Sequence, residues 1–173
     1  MSLSFIFIDL LSDRSCLILF YNNKAFVKKI DKLTKSENIP IILNKFLNTK
    51  KIIFNENFLI FVNLGPGSLV SARSAITFGK SLSLIYGCKL YGISYFDLLK
   101  LNKFKYNQAL INSKNKKLLL NLKTYNVKNL SSENHKKYSK YKVDVKFNSK
   151  NVKNLIMSKK YTKKIVPITF SSR

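Results

Sequence analysis

The sequence predicts an α/β fold with a mixed sheet, on three observations. Strand-like runs follow one another in a meander within residues 3–30. A wholly apolar run, Phe58-Leu59-Ile60-Phe61-Val62, then enters a helical pattern through Gly65-Pro66-Gly67-Ser68. A further strand-like run, Lys89 to Ile93, follows that helix at once. Meander strands pair antiparallel and strand–helix–strand units pair parallel, so the two together make a mixed sheet.

Each element has its own signal. Leu3 to Asp9 reads as a buried strand, and Ser15 to Phe20 as its hairpin partner across Leu10-Leu11-Ser12-Asp13-Arg14. Ala25 to Ile30 follows the turn Tyr21-Asn22-Asn23-Lys24 as a third strand. Ser36 with downstream Pro40 marks a helix start, and Ile39, Ile42, Leu43, Phe46 and Leu47 recur at helical spacing. The run 58–62 suits a strand buried on both faces. A helix over 69–86, a strand Lys89 to Ile93 and a short helix from Ser94 to Leu101 complete a first lobe, residues 1–101. Residues 102–173 form a smaller, strongly basic segment, in which Gln108 to Asn112 and Lys117 to Leu122 read as strands. The stretch Ser131 to Lys150 is too polar to assign, and no internal repeat is visible.

The turn before the long helix has a fixed shape, because Pro66 sets φ and Gly65 and Gly67 accept conformations that other residues avoid. Ser68 is placed to cap the helix. Such a junction is either a rigid corner that aims the helix or an anion site, since free amides and the positive helix end converge there. The absence of lysine and of metal ligands in Gly65-Pro66-Gly67-Ser68 favours the corner. Along the helix, Ser71, Ala75, Gly79, Ser83 and Gly87 recur every four residues and leave one stripe nearly bare, while Ile76, Phe78, Leu82, Leu84 and Ile85 supply bulk elsewhere. A bare stripe lets another helix approach closely. That helix is either the one near 39–47 or one on another molecule. The second case makes Ser71, Arg73, Ala75, Gly79, Lys80 and Ser83 the expected partner interface.

Composition bounds the function. With 173 residues, 46% of them hydrophobic, the chain can bury a core of its own. No apolar run reaches the roughly 18 residues of a membrane helix. The apolar start Leu3 to Leu11 lacks a basic flank and contains Asp9, so a signal peptide is not expected. Cys16 and Cys88 form no C-x-x-C pair and read as reduced, packed thiols in a cytoplasmic protein. The net charge of +24 is uneven: residues 1–99 carry 12 Lys+Arg against 6 Asp+Glu, and residues 100–173 carry 20 against 2. One reading is an RNA-facing surface that binds by counterion release. The other is mutational bias towards AT-rich codons, supported by 29 lysines among 32 basic residues where phosphate sites favour arginine. Lys136, Lys137, Tyr138, Lys140, Tyr141 and Lys142 interleave cations with rings, as a surface that follows a phosphate backbone and stacks bases would. The other reading of that stretch is a solvated loop.

Several catalytic readings fail on spacing. Gly79-Lys80-Ser81 lacks the upstream glycine of a phosphate loop, Ser74 standing there, and sits within a helical pattern. His135 is the only histidine, so no His-based metal pair can form, and there is no nucleophile elbow for it to serve. No catalytic or metal-ligating residue is expected.

Gly65-Pro66-Gly67-Ser68, then Arg73, Lys80, Leu82, Gly87, Leu90, Gly92, Ser94, Asp97 and Leu98, resemble the signature segment of the TsaB (YeaZ) family. That family usually reads G-P-G-S-F-T-G-L-R-x-G, then a helical lysine, then G-x-P-L-x-G-V-S-S-L-E. Leu69-Val70-Ser71-Ala72 stands here for F-T-G-L, Ala75 for the glycine after the arginine, and Lys89 for the proline before the second strand. The likeness runs over residues 58–99. It is fair around Phe7-Ile8-Asp9 and thin at Ala109-Leu110-Ile111-Asn112 and Pro167-Ile168-Thr169-Phe170-Ser171-Ser172-Arg173.

The resemblance implies a ribonuclease-H-like, actin-type ATPase (ASKHA) lobe followed by a reduced second lobe. It implies a non-catalytic scaffold in the formation of N6-threonylcarbamoyladenosine on tRNA. In that scheme a TsaD-like transferase pairs with the first-lobe helices and a TsaE-like ATPase joins them. A second copy of the chain is another expected partner, and tRNA is met indirectly or through the basic second lobe. No cofactor of its own is implied, ATP/ADP and metal being expected on the partner subunits, and no membrane. Asp9 falls where actin-type ATPases keep a metal-linked aspartate, but Leu10 and Leu11 replace the glycine and hydroxyl residues that wrap phosphates there, so a vestigial nucleotide site is expected. The rival readings are a small basic RNA-binding protein with a TsaB-like first lobe, and an active actin-type kinase, against which the missing phosphate-loop glycines argue.

Overall fold

Two apolar strand runs and a lysine-rich third pair antiparallel at the start of the chain, and the sheet extends from them. The computed structural model describes residues 3–12, 15–31, 36–101, 106–113, 116–130, 137–143 and 147–168. Five strands, β1 (Phe5–Asp9), β2 (Cys16–Tyr21), β3 (Lys24–Lys29), β4 (Leu59–Asn63) and β5 (Lys89–Ile93), lie in the order β3-β2-β1-β4-β5. β1–β2 and β2–β3 pair antiparallel, and β1–β4 and β4–β5 parallel, giving the expected mixed sheet. Helices α1 (Ile39–Thr49), α2 (Leu69–Tyr86), α3 (Tyr95–Leu101) and α4 (Ser149–Met157) flank it. The first helix starts at Ile39, later than Ser36 implied, because Ser36–Asn38 forms a 3-10 turn and Pro40 occupies the first helical turn.

Side chains alternate across the central strands, so both faces must be covered. Ile6, Ile8, Leu17, Leu19, Ile60 and Val62 pack with residues of α1 and α2 on one face. Phe5, Phe7, Ile18, Phe20 and Phe61 pack on the other with α3 and α4. At one edge β3 carries Lys24, Lys28 and Lys29 exposed, which discourages further strand pairing. At the other edge Gly92 exchanges backbone hydrogen bonds with Thr162, 2.8 and 2.9 Å.

A second antiparallel sheet, β6 (Gln108–Ser113), β7 (Lys116–Asn121) and β8 (Val127–Leu130), turns one face inward. Ala109, Ile111, Leu118, Leu120 and Val127 join the cluster of Phe5 and Phe7. The expected division near residue 102 marks the passage from one sheet to the other, yet the hydrophobic core runs across it. β8 and α4 were not legible in sequence. Helix α4 buries only Val152, Leu155 and Ile156 in a polar stretch, and is started by Asn148, whose Oδ1 accepts from the Asn151 amide at 2.8 Å. Phe147 stacks on Tyr95 (5.3 Å) and tilts against Phe7 (4.9 Å), joining the two parts.

Because Phe147 is buried between both parts, Phe147→Ala should cost about 3–5 kcal/mol. Thermal unfolding followed at two wavelengths should still show one transition. A separate melt of the first lobe would contradict the continuous core.

Candidate partner interface and the Asp9 network

The parallel strands β1 and β4 end side by side, and the polar residues that close them are buried. Asp9 is wholly inaccessible. Its Oδ1 accepts from the backbone amides of Leu11 (3.0 Å) and Ser12 (3.2 Å) and from Asn63 Nδ2 (2.9 Å), while Ser12 Oγ donates to Oδ2. Burial pushes the Asp9 carboxyl above its ordinary value, and these donors oppose the shift. Asn63 Oδ1 accepts from the Gly65 amide at 2.9 Å, so the network reaches the turn before α2. The oxygens of Asp9 thus serve as an internal brace. Among the described residues no three His, Cys, Asp or Glu side chains come together as a metal site.

The Gly65–Ser68 turn is an inner corner. Leu64 through Gly67 are buried, and Gly65–Pro66 is a cis peptide. Gly65 has φ +99°, and a Cβ there would meet Gly67 N at 2.9 Å and Leu11 Cδ2 at 3.3 Å, so only glycine fits. Leu64 N donates to Ile93 O, Leu64 O accepts from Ile168 N, and Gly65 O accepts from Tyr95 N, at 2.8–2.9 Å. Two chain segments, 93–95 and the one at 168, therefore hold the corner. Ser68 caps α2, its Oγ accepting from the Ser71 amide at 3.4 Å. The arrangement aims the helix, and Leu11 and the backbone at 168 close the corner on the Cβ side of Gly65.

The bare stripe of α2 requires a correction. Ala75 and Gly79 are buried in the chain's own core, not on an outer face, and Gly79 lies against the sheet. A Cβ on Gly79 would come within 2.7 Å of Val62 Cγ1 and 3.1 Å of Leu90 Cδ1. Ser71 and Ser83 are half-buried at the stripe's ends, and Ser83 Oγ donates to Cys88 O. The physical reason is the bulk of Val62, Ile60 and Leu90, which leaves the helix room only if it brings no side chain. A stripe of small residues marks close approach without saying to what.

Arg73 and Lys80 do lie outside, and with them Leu84 and Ile85, which the helical pattern counts as bulk, and also Val70 and Leu69. Leu84 is 87% exposed, Val70 75% and Ile85 70%, with Leu69 also exposed. Between these apolar ends stand Ser74, Thr77 and Ser81. Ser74 Oγ donates to Val70 O (3.0 Å) and Ser81 Oγ to Thr77 O (3.1 Å), so both hydroxyls are satisfied within the helix. The outer face is therefore short-chained in the middle, apolar at the ends and inexpensive to dehydrate. A signal was present in sequence: α2 has more apolar positions than one face can bury.

The fold can now be compared. It is similar to a solved structure described as an uncharacterized protein with similarity to peptidase YeaZ from Pseudomonas aeruginosa, with TM-score 0.55 and 13% identity over 76% of this chain and 65% of that one. It is also similar to YeaZ from Pseudomonas aeruginosa, with TM-score 0.53 and 14% identity over 76% of this chain and 66% of that one. The fold is YeaZ-like. This chain spans just under two thirds of either neighbour. No protein-family model and no curated protein matches the sequence. Both likenesses agree with the expected α/β fold with a mixed sheet.

The remaining sequence candidates fall elsewhere. Lys137, Tyr138, Lys140, Tyr141 and Lys142 lie on the second sheet, their lysines exposed and their rings half-buried, while Lys136 and His135 lie outside the described residues. Lys140 Nζ sits 5.1 Å from the Tyr141 ring centre. Cys16 and Cys88 are free and buried, and burial with the nearby Asp9 charge pushes the Cys16 thiol up to about 12. Among the described residues no helix is long and apolar enough to cross a membrane.

Two outcomes follow from this packing. Gly79→Ala should destabilise the chain by about 1–3 kcal/mol, and the penalty should shrink in a Val62→Ala background, which removes the clashing methyls. Additive losses in a double-mutant cycle would show that α2 does not rest on β4 there. Asp9 has its carboxyl raised in the folded state, so its contribution is fully present below the unfolded value near 3.8 and is lost as pH rises through the folded value. Denaturant melts from acid towards neutral pH should show this loss in the native chain relative to Asp9→Asn; parallel curves would contradict it.

Proposed function

We propose that this chain is a non-catalytic scaffold in the formation of N6-threonylcarbamoyladenosine on tRNA, where it docks a TsaD-like transferase through the outer face of α2. The observation that carries the proposal is that face itself: Val70, Leu84 and Ile85 exposed around a short-chained centre, with Arg73 and Lys80 along its edge. Apolar side chains held out on a well-ordered helix are a docking surface when polar residues rim them. The sequence likeness over residues 58–99 and the YeaZ-like fold support the same reading.

The chain's contribution is then a surface, with ATP/ADP, metal and any TsaE-like ATPase belonging to partner subunits. Asp9 fits that role, since its carboxylate already accepts four internal hydrogen bonds. Titration of the chain with ATP and magnesium tests the kinase alternative, and heat of binding would favour it. A second copy of the chain could seat on the same face in place of the transferase.

Leu84→Asp with Ile85→Asp should leave thermal stability within about 0.5 kcal/mol, both positions being exposed. The pair should lower recovery of the TsaD-like subunit from native lysate at least tenfold. Undiminished recovery would remove this face as the interface, and recovery of RNA alone by the native chain would favour the small RNA-binding alternative.

A further inference from the structure

The second sheet builds a site that the helical interface does not use. The outer side chains Leu110, Leu119 and Leu130 are covered by Tyr138 and Tyr141, which the 3-10 turn Ser139–Tyr141 lays across the sheet. The turn is held by Val143 N donating to Leu110 O at 2.9 Å. At the end of the sheet this leaves a cavity of about 360 Å³ lined by Tyr106, Asn107, Gln108, Asn121, Lys123 and Tyr141. Tyr106 and Tyr141 meet edge to face, 5.3 Å between centres and 84° between planes. The floor is fixed, since Leu122 N donates to Asn107 O at 2.8 Å and Asn121 Oδ1 accepts from the amides of Lys123 and Thr124 at 3.0 and 3.1 Å.

We infer that this cavity binds one unstacked base of a single-stranded RNA, with a tyrosine ring beneath the base, the side-chain amides at its edge and Lys123 and Lys140 on the flanking phosphates. The volume lies at the low end of the roughly 300–1,000 Å³ of small-molecule sites, suited to a single nucleotide. The amides of Asn107 and Gln108 carry both donors and acceptors, as the Watson–Crick edge of a base requires, and Asn121, its oxygen engaged, adds donors. Aromatic rings stack any base, which makes the site tolerant of sequence. Among the described residues no acidic side chain lines the cavity, and residues 100–173 carry 20 Lys+Arg against 2 Asp+Glu, so the surrounding field selects a polyanion over a peptide of mixed charge. A duplex keeps its bases stacked and paired, and therefore cannot fill the cavity.

The inference does not rest on the scaffold reading, and the two separate experimentally. A fluorescent single-stranded RNA of mixed sequence should bind the full chain more tightly than the same strand in duplex form. Tyr106→Ala should weaken single-strand binding about 5- to 150-fold with the salt dependence kept, whereas Tyr106→Phe should retain affinity. Lys123→Ser should flatten the log–log salt slope by about 0.7. Tyr106 is 38% exposed, so its variants test the site without removing the sheet's cover, as Tyr141→Ala would. Leu84→Asp with Ile85→Asp should bind RNA as the native chain does. Equal binding of duplex and single strand, or native affinity in Tyr106→Ala, would reduce the site to general charge attraction and overturn the inference. Crosslinks from 4-thiouridine RNA should map to peptides carrying Tyr106 or Tyr141, and mapping elsewhere would also overturn it.

Discussion

A buried carboxylate at the end of the first strand organises the part of this molecule on which everything else is hung. Asp9 gathers four donors from its own turn and from Asn63, and Asn63 passes the connection to the Gly65 amide. Strand β1, strand β4 and the corner before α2 are thereby tied at one point. An uncompensated carboxylate in such a place would be expensive, and the local amides are what make its burial tolerable.

From that point the direction of α2 follows. The corner is closed by Tyr95, Ile93 and Ile168, each through one backbone hydrogen bond, so its angle depends on segments far apart in sequence. The helix then lies close against β4 because Ala75 and Gly79 bring so little bulk to the sheet. Close seating on the inside decides what remains outside. Val70, Leu84 and Ile85 cannot turn inward without lifting Gly79 off Val62, and so they stay exposed.

The second sheet contributes in two directions. Inward, Ala109, Ile111, Leu118 and Leu120 complete a cover over Phe5 and Phe7 that α3 and α4 share. Outward, Leu110 and Leu119 need a lid of their own, which Tyr138 and Tyr141 provide. Of these two, Tyr141 also stands with Tyr106 beside Asn107 and Asn121, in the most basic part of the chain. One ring, that of Tyr141, therefore both covers the sheet and walls the cavity.

The order of elements in the first 101 residues was legible because each carries a local cause. Strands 5–9 and 16–21 are continuous apolar runs, and the helix at 69–86 is bounded by Ser68 and by Gly87 in the left-handed conformation. Local patterns fail where the signal is short or polar, as with Val152, Leu155 and Ile156 of α4 among asparagines and lysines. They also fail where one pattern serves two geometries: the small stripe on α2 stated that something comes close, and only the assembled sheet showed that Val62 and Leu90 do. Asn63 as the partner of Asp9, and Tyr106 beside Tyr141, join residues distant in sequence. Sequence by itself determined the elements and the tight corner, since propensity and turn chemistry act over a few neighbouring residues. Tertiary structure alone decided which side of α2 meets water and where the tyrosines gather, because those outcomes depend on volumes and hydrogen bonds brought together from the whole chain.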